Sequence, residues 1–190
     1  LPTTTEQVQV ALRQIGISSD NPQGLFISGY FAEEEKRFAI SYNMVLASNV
    51  DELNFLAARL ETLSAGERAE LNAALQAPQS ELFSIGRITD FPENVDYYVH
   101  LPDVHGPAQL GDYYLNRSGM VNMPEEWKGG IDTAQFGRYV AQQEQGAFTQ
   151  YGYLVKSGDE WQKVYEGQPV PEEYRVLSFP VPEVMRDAAN

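Results

Sequence analysis

The sequence predicts an α+β fold, built as an elongated chain of small modules, and three features predict it. From Asn49 onward apolar residues recur at helical spacing, shorter runs near both ends alternate as strands do, and clusters of Asn, Pro and Gly punctuate the chain. Of 190 residues, 43% are hydrophobic and 12% aromatic, which is enough apolar material for a core, and the length allows one or two domains.

Thr4 with Gln7 three residues on reads as a capping box opening a helix to about Ile15, with Val8, Leu12 and Ile15 on one face and Gly16 as its stop. Past the turn-prone Asn21-Pro22-Gln23-Gly24, the segments Leu25 to Phe31 and Arg37 to Tyr42 read as strands joined by a loop at Glu33 to Lys36. Residues 1–48 therefore read as a small α+β module. Asn49 caps a helix in which Val50, Leu53, Leu56, Ala57, Leu60 and Leu63 share a face, leaving Asp51, Glu52, Arg59 and Glu61 for solvent. Ser64 with Glu67 makes a second capping box, so a new helix runs through Leu71 and Leu75 to Pro78 and folds back on the first as an antiparallel hairpin. A third helix, Ser80 to Ile88, completes a helical module over residues 49–91. Next, Val95 to Leu101 reads as a strand, Pro107 to Leu115 as a helix, and Ile131 to Gln142 as a helix with Phe136, Tyr139 and Val140 inward. Phe148 to Lys156 and Trp161 to Tyr165 read as a hairpin around Ser157-Gly158-Asp159, giving a C-terminal α+β module over 92–168. Residues 169–190 are Pro-rich and read as an extended tail with frayed last residues.

Charge narrows the function. The chain carries 27 Asp and Glu against 13 Lys and Arg, a formal net of −14, dispersed so that the longest acidic run is Glu33 to Glu35. A surplus of that size repels nucleic acid and anionic membranes and attracts proteins with deep basic grooves. Duplex DNA carries one charge per ~1.7 Å, so this net charge matches roughly 24 Å of duplex, or about seven base pairs. That is more than solubility alone asks of a domain this size. No Cys is present, which removes disulfides, thiolate metal sites and a cysteine nucleophile and fits a reducing cytoplasm. No apolar run approaches the roughly 20 residues that span a bilayer. Leu1 in place of an initiator Met is what a trimmed chain would show.

Catalytic patterns are absent from the sequence. There is no Gly-x-Ser-x-Gly elbow, no Walker motif and no Gly-x-Gly-x-x-Gly, and with 27 carboxylates some chance acid/base pairs are inevitable. His100 and His105 flank Asp103, three groups able to bind metal if the loop folded back, but Pro102 stiffens the stretch and both histidines read as exposed loop residues. Tyr97, Tyr98, Tyr113 and Tyr114 resemble base-stacking platforms only superficially. Between Asp90 and Asp112 there is no Lys or Arg to follow a phosphate path, so these tyrosines read as packing residues. The expectation is a non-enzyme that uses no cofactor and no metal.

Five ordered segments resemble one family. Asp51-Glu52-Leu53-Asn54-Phe55-Leu56-Ala57-Ala58-Arg59-Leu60 is similar to the LNYLAxRL helix of ArdA-type antirestriction proteins of plasmids and conjugative transposons. Leu110-Gly111-Asp112-Tyr113-Tyr114-Leu115 resembles that family's LGRYLV segment, and Met120-Val121-Asn122-Met123-Pro124-Glu125-Glu126 its Gly-x-Ile-Pro-Glu segment. Ile131-Asp132 with Phe136-Gly137-Arg138 resembles the helix with Gly-Arg, and Gly146 to Tyr153, with Phe148, Gly152 and Tyr153, the Gly-x-Phe-Thr-x-x-Gly-Tyr strand. The N-terminal fifty residues match smaller members poorly, and Val164 to Asn190 is similar to the extension of longer relatives from Firmicutes mobile elements. The resemblance implies an acidic, curved homodimer joined through its C-terminal part, a mimic of bent DNA that occupies the DNA-binding groove of Type I restriction-modification enzymes and touches neither nucleic acid nor membrane. The acids expected to stand in for phosphates are Asp51, Glu52, Glu61, Glu67, Glu70, Asp96, Asp103, Asp112, Glu125, Glu126, Asp132 and Glu144. The alternative is an acidic interaction module of a conjugation or mobile-element system without mimicry, and a weaker one is a hydrolase built on His100, Asp103 and His105.

Overall fold

A computed structural model describes residues 1–17, 37–166 and 168–177. The turn expected at Asn21 to Gly24, the strand at Leu25 to Phe31 and the loop at Glu33 to Lys36 lie outside these residues. Helix α1, Thr5–Gln14, starts where its cap places it: Gln7 N donates to Thr4 Oγ1 at 3.3 Å and Thr4 N to Gln7 Oε1 at 3.0 Å. Gly16 N and Ile17 N then return to the carbonyls of Arg13 and Leu12 and close it. Leu12 is buried, whereas Ile15, expected beside it, is exposed because it has already left the helix as the C-cap.

Arg37 to Tyr42 does not form the expected strand. Asn72 takes the place of a strand partner, accepting from Ala39 N at 2.7 Å and donating to Arg37 O at 3.4 Å, and Tyr42–Leu46 is a short helix, α2. The capping boxes at Asn49/Glu52 and Ser64/Glu67 open α3, Val50–Glu61, and α4, Ala65–Gln76. These two helices do not pair chiefly with one another as a hairpin. Instead α3 packs on α5, Ile85–Thr89, while α4 lies on the sheet. Helix α5 is shorter than the expected Ser80 to Ile88 because Ser84 Oγ caps it, accepting from Arg87 N at 3.2 Å, and Ser80 Oγ turns the preceding chain through Leu82 N. Two 3-10 turns, Phe91–Glu93 and Val95–Tyr97, follow, so the strand expected from Val95 begins only at Tyr98: β1 is Tyr98–Leu101.

Helix α6, Pro107–Asp112, runs on as a π turn over Tyr113–Arg117, then come α7, Glu125–Lys128, and α8, Thr133–Glu144. Strands β2, Ala147–Thr149, and β3, Gly152–Lys156, make the hairpin, with Gln150 and Tyr151 as its loop. Gly152 sits at φ +114°, and a Cβ there would lie 2.7 Å from Pro102 Cα and overlap Leu101 O, so no side chain fits. The hairpin expected around Ser157-Gly158-Asp159 is not formed, since Trp161 to Tyr165 makes no strand. The sheet order is β1-β3-β2, all antiparallel, with Tyr98 opposite Lys156 and Phe148 opposite Tyr153.

The main core joins Leu56 and Leu60 of α3, Leu71 of α4, Ile88 and Phe91 to Tyr98 and Leu154 of the sheet. A second cluster centres on Val104, Leu110 and Tyr153, with Phe148, Val140 and Tyr114 around it. It is held by a close crossing of α6 on α8. A Cβ on Gly137 would overlap Pro107 O and lie 2.7 Å from the Pro107 carbonyl carbon and 2.8 Å from Gly111 N. One on Gly111 would overlap Thr133 O and lie 3.1 Å from Gly137 N. The two backbones touch because neither residue has a side chain. With Gly137 facing α6, Tyr139 sits about 200° further round the helix and is exposed, not inward as expected, while Phe136 and Val140 are half-buried.

Candidate target-binding surface

The twelve expected acids fall into four groups by what their carboxylates touch. Glu61, Asp96, Asp103 and Glu126 are exposed, and among the described residues no side chain pairs with them. Glu52, Glu67 and Asp132 accept at helix starts, from Asn49 N at 3.3 Å, Ser64 N at 2.7 Å and Gln135 N at 2.9 Å. The bonds from Ser64 favour the charged form of Glu67 and hold it below the usual carboxylate range. Asp112 and Glu125 are paired locally, with Arg117 at 3.4 Å and Lys128 at 2.6 Å.

The last group is turned inward. Asp51 is 6% exposed, not solvent-facing, and accepts from Val176 N at 2.7 Å and Leu177 N at 2.8 Å. Glu144 accepts from the phenols of Tyr114, at 2.5 Å, and Tyr153, at 3.0 Å, so it joins α8 to the π turn and β3. Burial first, then that carboxylate, push both phenols well above the ordinary tyrosine range. Glu70 buries one carboxylate oxygen without a hydrogen-bond partner. Burial, then the charges of Asp96 and Glu67, raise it to about 8, which favours its neutral form near pH 7. Of the twelve, the structure thus brings Glu67, Glu70 and Asp96 into one electrostatic group.

Sequence reasoning passed over the fully buried Asp90, whose carboxylate accepts from Tyr165 N at 2.6 Å. It also passed over exposed Glu172 and Glu173, although Pro171-Glu172-Glu173-Tyr174 is a helix-start signal and Glu172–Tyr174 is a 3-10 turn. The four tyrosines are engaged with neighbours: Tyr98 is buried, Tyr97 meets Trp161 edge-on at 5.1 Å, and Tyr113 meets Tyr114 at 5.5 Å. His105 is exposed, but His100 lies half-buried in β1 with Nε2 2.7 Å from Tyr151 O, so the two histidines and Asp103 do not converge. Among the described residues no three His, Asp or Glu side chains gather to hold a metal ion, and no helix is long and apolar enough to cross a membrane.

The sequence model of the family described as Antirestriction protein (ArdA) matches residues 1–155. The chain belongs to the ArdA antirestriction family. No curated protein matched it. The motif residues that resemble ArdA proteins here build the fold. Leu56, Leu60 and Leu115 are buried, Leu53 packs at the edge of the main core, and Gly111 and Gly137 form the α6–α8 crossing. Phe148 lies 4.9 Å from the fully buried Tyr153, Gly152 turns the hairpin, and Pro124 is the N-cap of α7. The ArdA-like scaffold is therefore held partly by acids of its own, Asp51 and Glu144 among them, while Glu61, Asp96, Asp103 and Glu126 take no side-chain partner among the described residues.

Proposed function

We propose that this chain is an acidic DNA mimic that, as a cytoplasmic homodimer, occupies the DNA-binding groove of a Type I restriction-modification enzyme and so protects an incoming mobile element. The observation that carries the reading is membership of an antirestriction family together with a net charge of −14 on a folded chain. The exposed Glu61, Asp96, Asp103 and Glu126, unpaired among the described residues, supply fixed negative charge at the surface, and the capping carboxylates Glu52, Glu67 and Asp132 add theirs. A groove lined with Lys and Arg gains by exchanging one set of anions for another, and the attraction weakens as salt screens it. Glu70, whose buried carboxyl is pushed toward its neutral form, and the inward-turned Asp51 and Glu144 are not among the phosphate surrogates of this mechanism.

The test is a competition assay in which the chain displaces DNA from a Type I enzyme at several salt concentrations. Glu61→Gln, Asp96→Asn, Asp103→Asn and Glu126→Gln are each expected to weaken inhibition less than about fivefold, the scale of an exposed ion pair. Combined, they should weaken it far more and flatten its salt dependence. A single substitution that eliminates inhibition while fold and dimer persist would replace mimicry with a specific contact.

A further inference from the structure

The stretch beyond the matched residues is seated on the core by side chains that address its backbone. Asn94 pairs both ways with Gln162, accepting from its N at 2.7 Å and donating to its O at 2.9 Å. Asp90 accepts from the amides of Tyr165 and Glu166, Asn54 Nδ2 donates to Tyr174 O at 3.0 Å, and Asp51 takes the amides of Val176 and Leu177. Between them Phe55 meets the ring of Tyr165 edge-on at 5.0 Å and that of Tyr174 at 4.9 Å. Arg87 Nε adds an ion pair with Glu166 at 3.2 Å.

Two features separate this from ordinary core packing. Every recognising residue, Asp51, Asn54, Phe55, Asp90 and Asn94, lies inside the family match at 1–155, and the segment they hold lies wholly outside it. The segment itself joins no sheet, and Gln162, Lys163, Val164, Gln168, Glu172, Glu173 and Arg175 are exposed. Main-chain bonds supply affinity for any extended chain, and pockets for spaced side chains supply selectivity. Here the pocket is for two aromatic rings nine residues apart.

We propose that α3, α5 and the turn after α5 form a docking groove for a peptide bearing two such aromatic residues nine apart, and that the chain fills it in cis with its own residues 162–166 and 168–177. The segment's tether keeps it at high local concentration, so a free peptide gains access only when the cis segment is weakened. The probe is a fluorescent peptide with the sequence of residues 160–177, added to the 190-residue chain carrying Tyr165→Ala and Tyr174→Ala. Saturable binding is expected, and the unaltered chain should bind the peptide at least about tenfold more weakly. No uptake by a variant that keeps its helical circular dichroism overturns the proposal, as does equal uptake of a peptide with both tyrosines replaced by Ala. Should the variant not fold, hydrogen exchange on the unaltered chain decides. The amides of Tyr165, Val176 and Leu177 are expected to open before those of α3 and α4, and exchange only through global unfolding overturns the groove.

Discussion

Gly137→Ala tests the α6–α8 crossing directly. In an exposed helix, Gly to Ala stabilises by about 0.5–1 kcal/mol through backbone entropy. At Gly137 the new methyl would overlap Pro107 O and stand 2.7 Å from the carbonyl carbon, where unstrained carbon contacts are about 3.5–4.0 Å. The obstruction is backbone on a facing helix, so relief requires the helices to part by roughly 1 Å, taking Leu110 and Tyr153 out of register with their neighbours. Overpacking of this kind typically destabilises by 1–3 kcal/mol and more where backbone must move, so we expect a net loss of about 2–3 kcal/mol. For a chain of this size that is a fall in Tm of roughly 4–12 °C. Gly66→Ala is the internal control. Gly66 lies in α4 with no heavy atom within 4 Å of where its Cβ would stand, and there the entropy gain is unopposed, so Tm should rise slightly. Urea and thermal melts followed by circular dichroism measure both. If Gly137→Ala is as stable as the parent, or the two variants shift in the same direction, the close-crossing argument is wrong.

Leu56→Ala, at 3% exposure in the main core, should destabilise by about 2–5 kcal/mol, whereas Glu52→Gln with Glu61→Gln should stay within about 0.5 kcal/mol because Gln preserves the capping box; the same melts compare them. Glu70 has a folded-state pKa above its unfolded one, so its neutral form favours folding below the ordinary carboxylate range and that contribution is lost as pH rises through about 8. Glu70→Gln should therefore leave stability near pH 4 little changed, exceed the parent above pH 8, and flatten the urea midpoint against pH between them. Glu144→Gln should bring the phenols of Tyr114 and Tyr153 part of the way back toward ordinary ionisation, the remaining elevation reflecting burial, as read from an ultraviolet alkaline titration.

Local chemistry was the legible part of the sequence. The caps at Thr4, Asn49 and Ser64 involve partners three residues away, and the structure forms all three. Misreadings arose where a partner is distant. Asp51 follows the polar rhythm of α3 and reads as solvent-facing, but its acceptors are filled by a chain returning 125 residues later. Trp161 to Tyr165 has strand-like composition, yet the side chains of Asn94 and Asp90 satisfy the backbone at Gln162 and Tyr165, leaving no need for a ladder. The true hairpin turn, Gln150-Tyr151, was hidden because aromatic and β-branched residues on both sides of it, Phe148, Thr149, Tyr153 and Val155, read together as one strand. For the surface acids, spacing identified which carboxylates exist but not which are turned inward. Glu144 and Glu70 were separable from Glu61 and Asp103 only after the tyrosines and the acidic neighbours had positions.

Asn54 has a bearing on how the chain emerges during synthesis. Its amide accepts from Thr3 N at 2.6 Å, donates to Thr3 O, and also donates to Tyr174 O, 120 residues further along. At a translation rate of about 5–20 residues per second, α3 leaves the ribosome roughly 6–24 s before that last partner exists. For that interval Asp51 and Phe55 lack their partners from residues 165–177, and of the bonds of Asn54 only those to Thr3 can form. Closure of the returning segment over α3 is therefore a late event, and a stalled or prematurely terminated product carries an uncovered aromatic face that quality control can recognise.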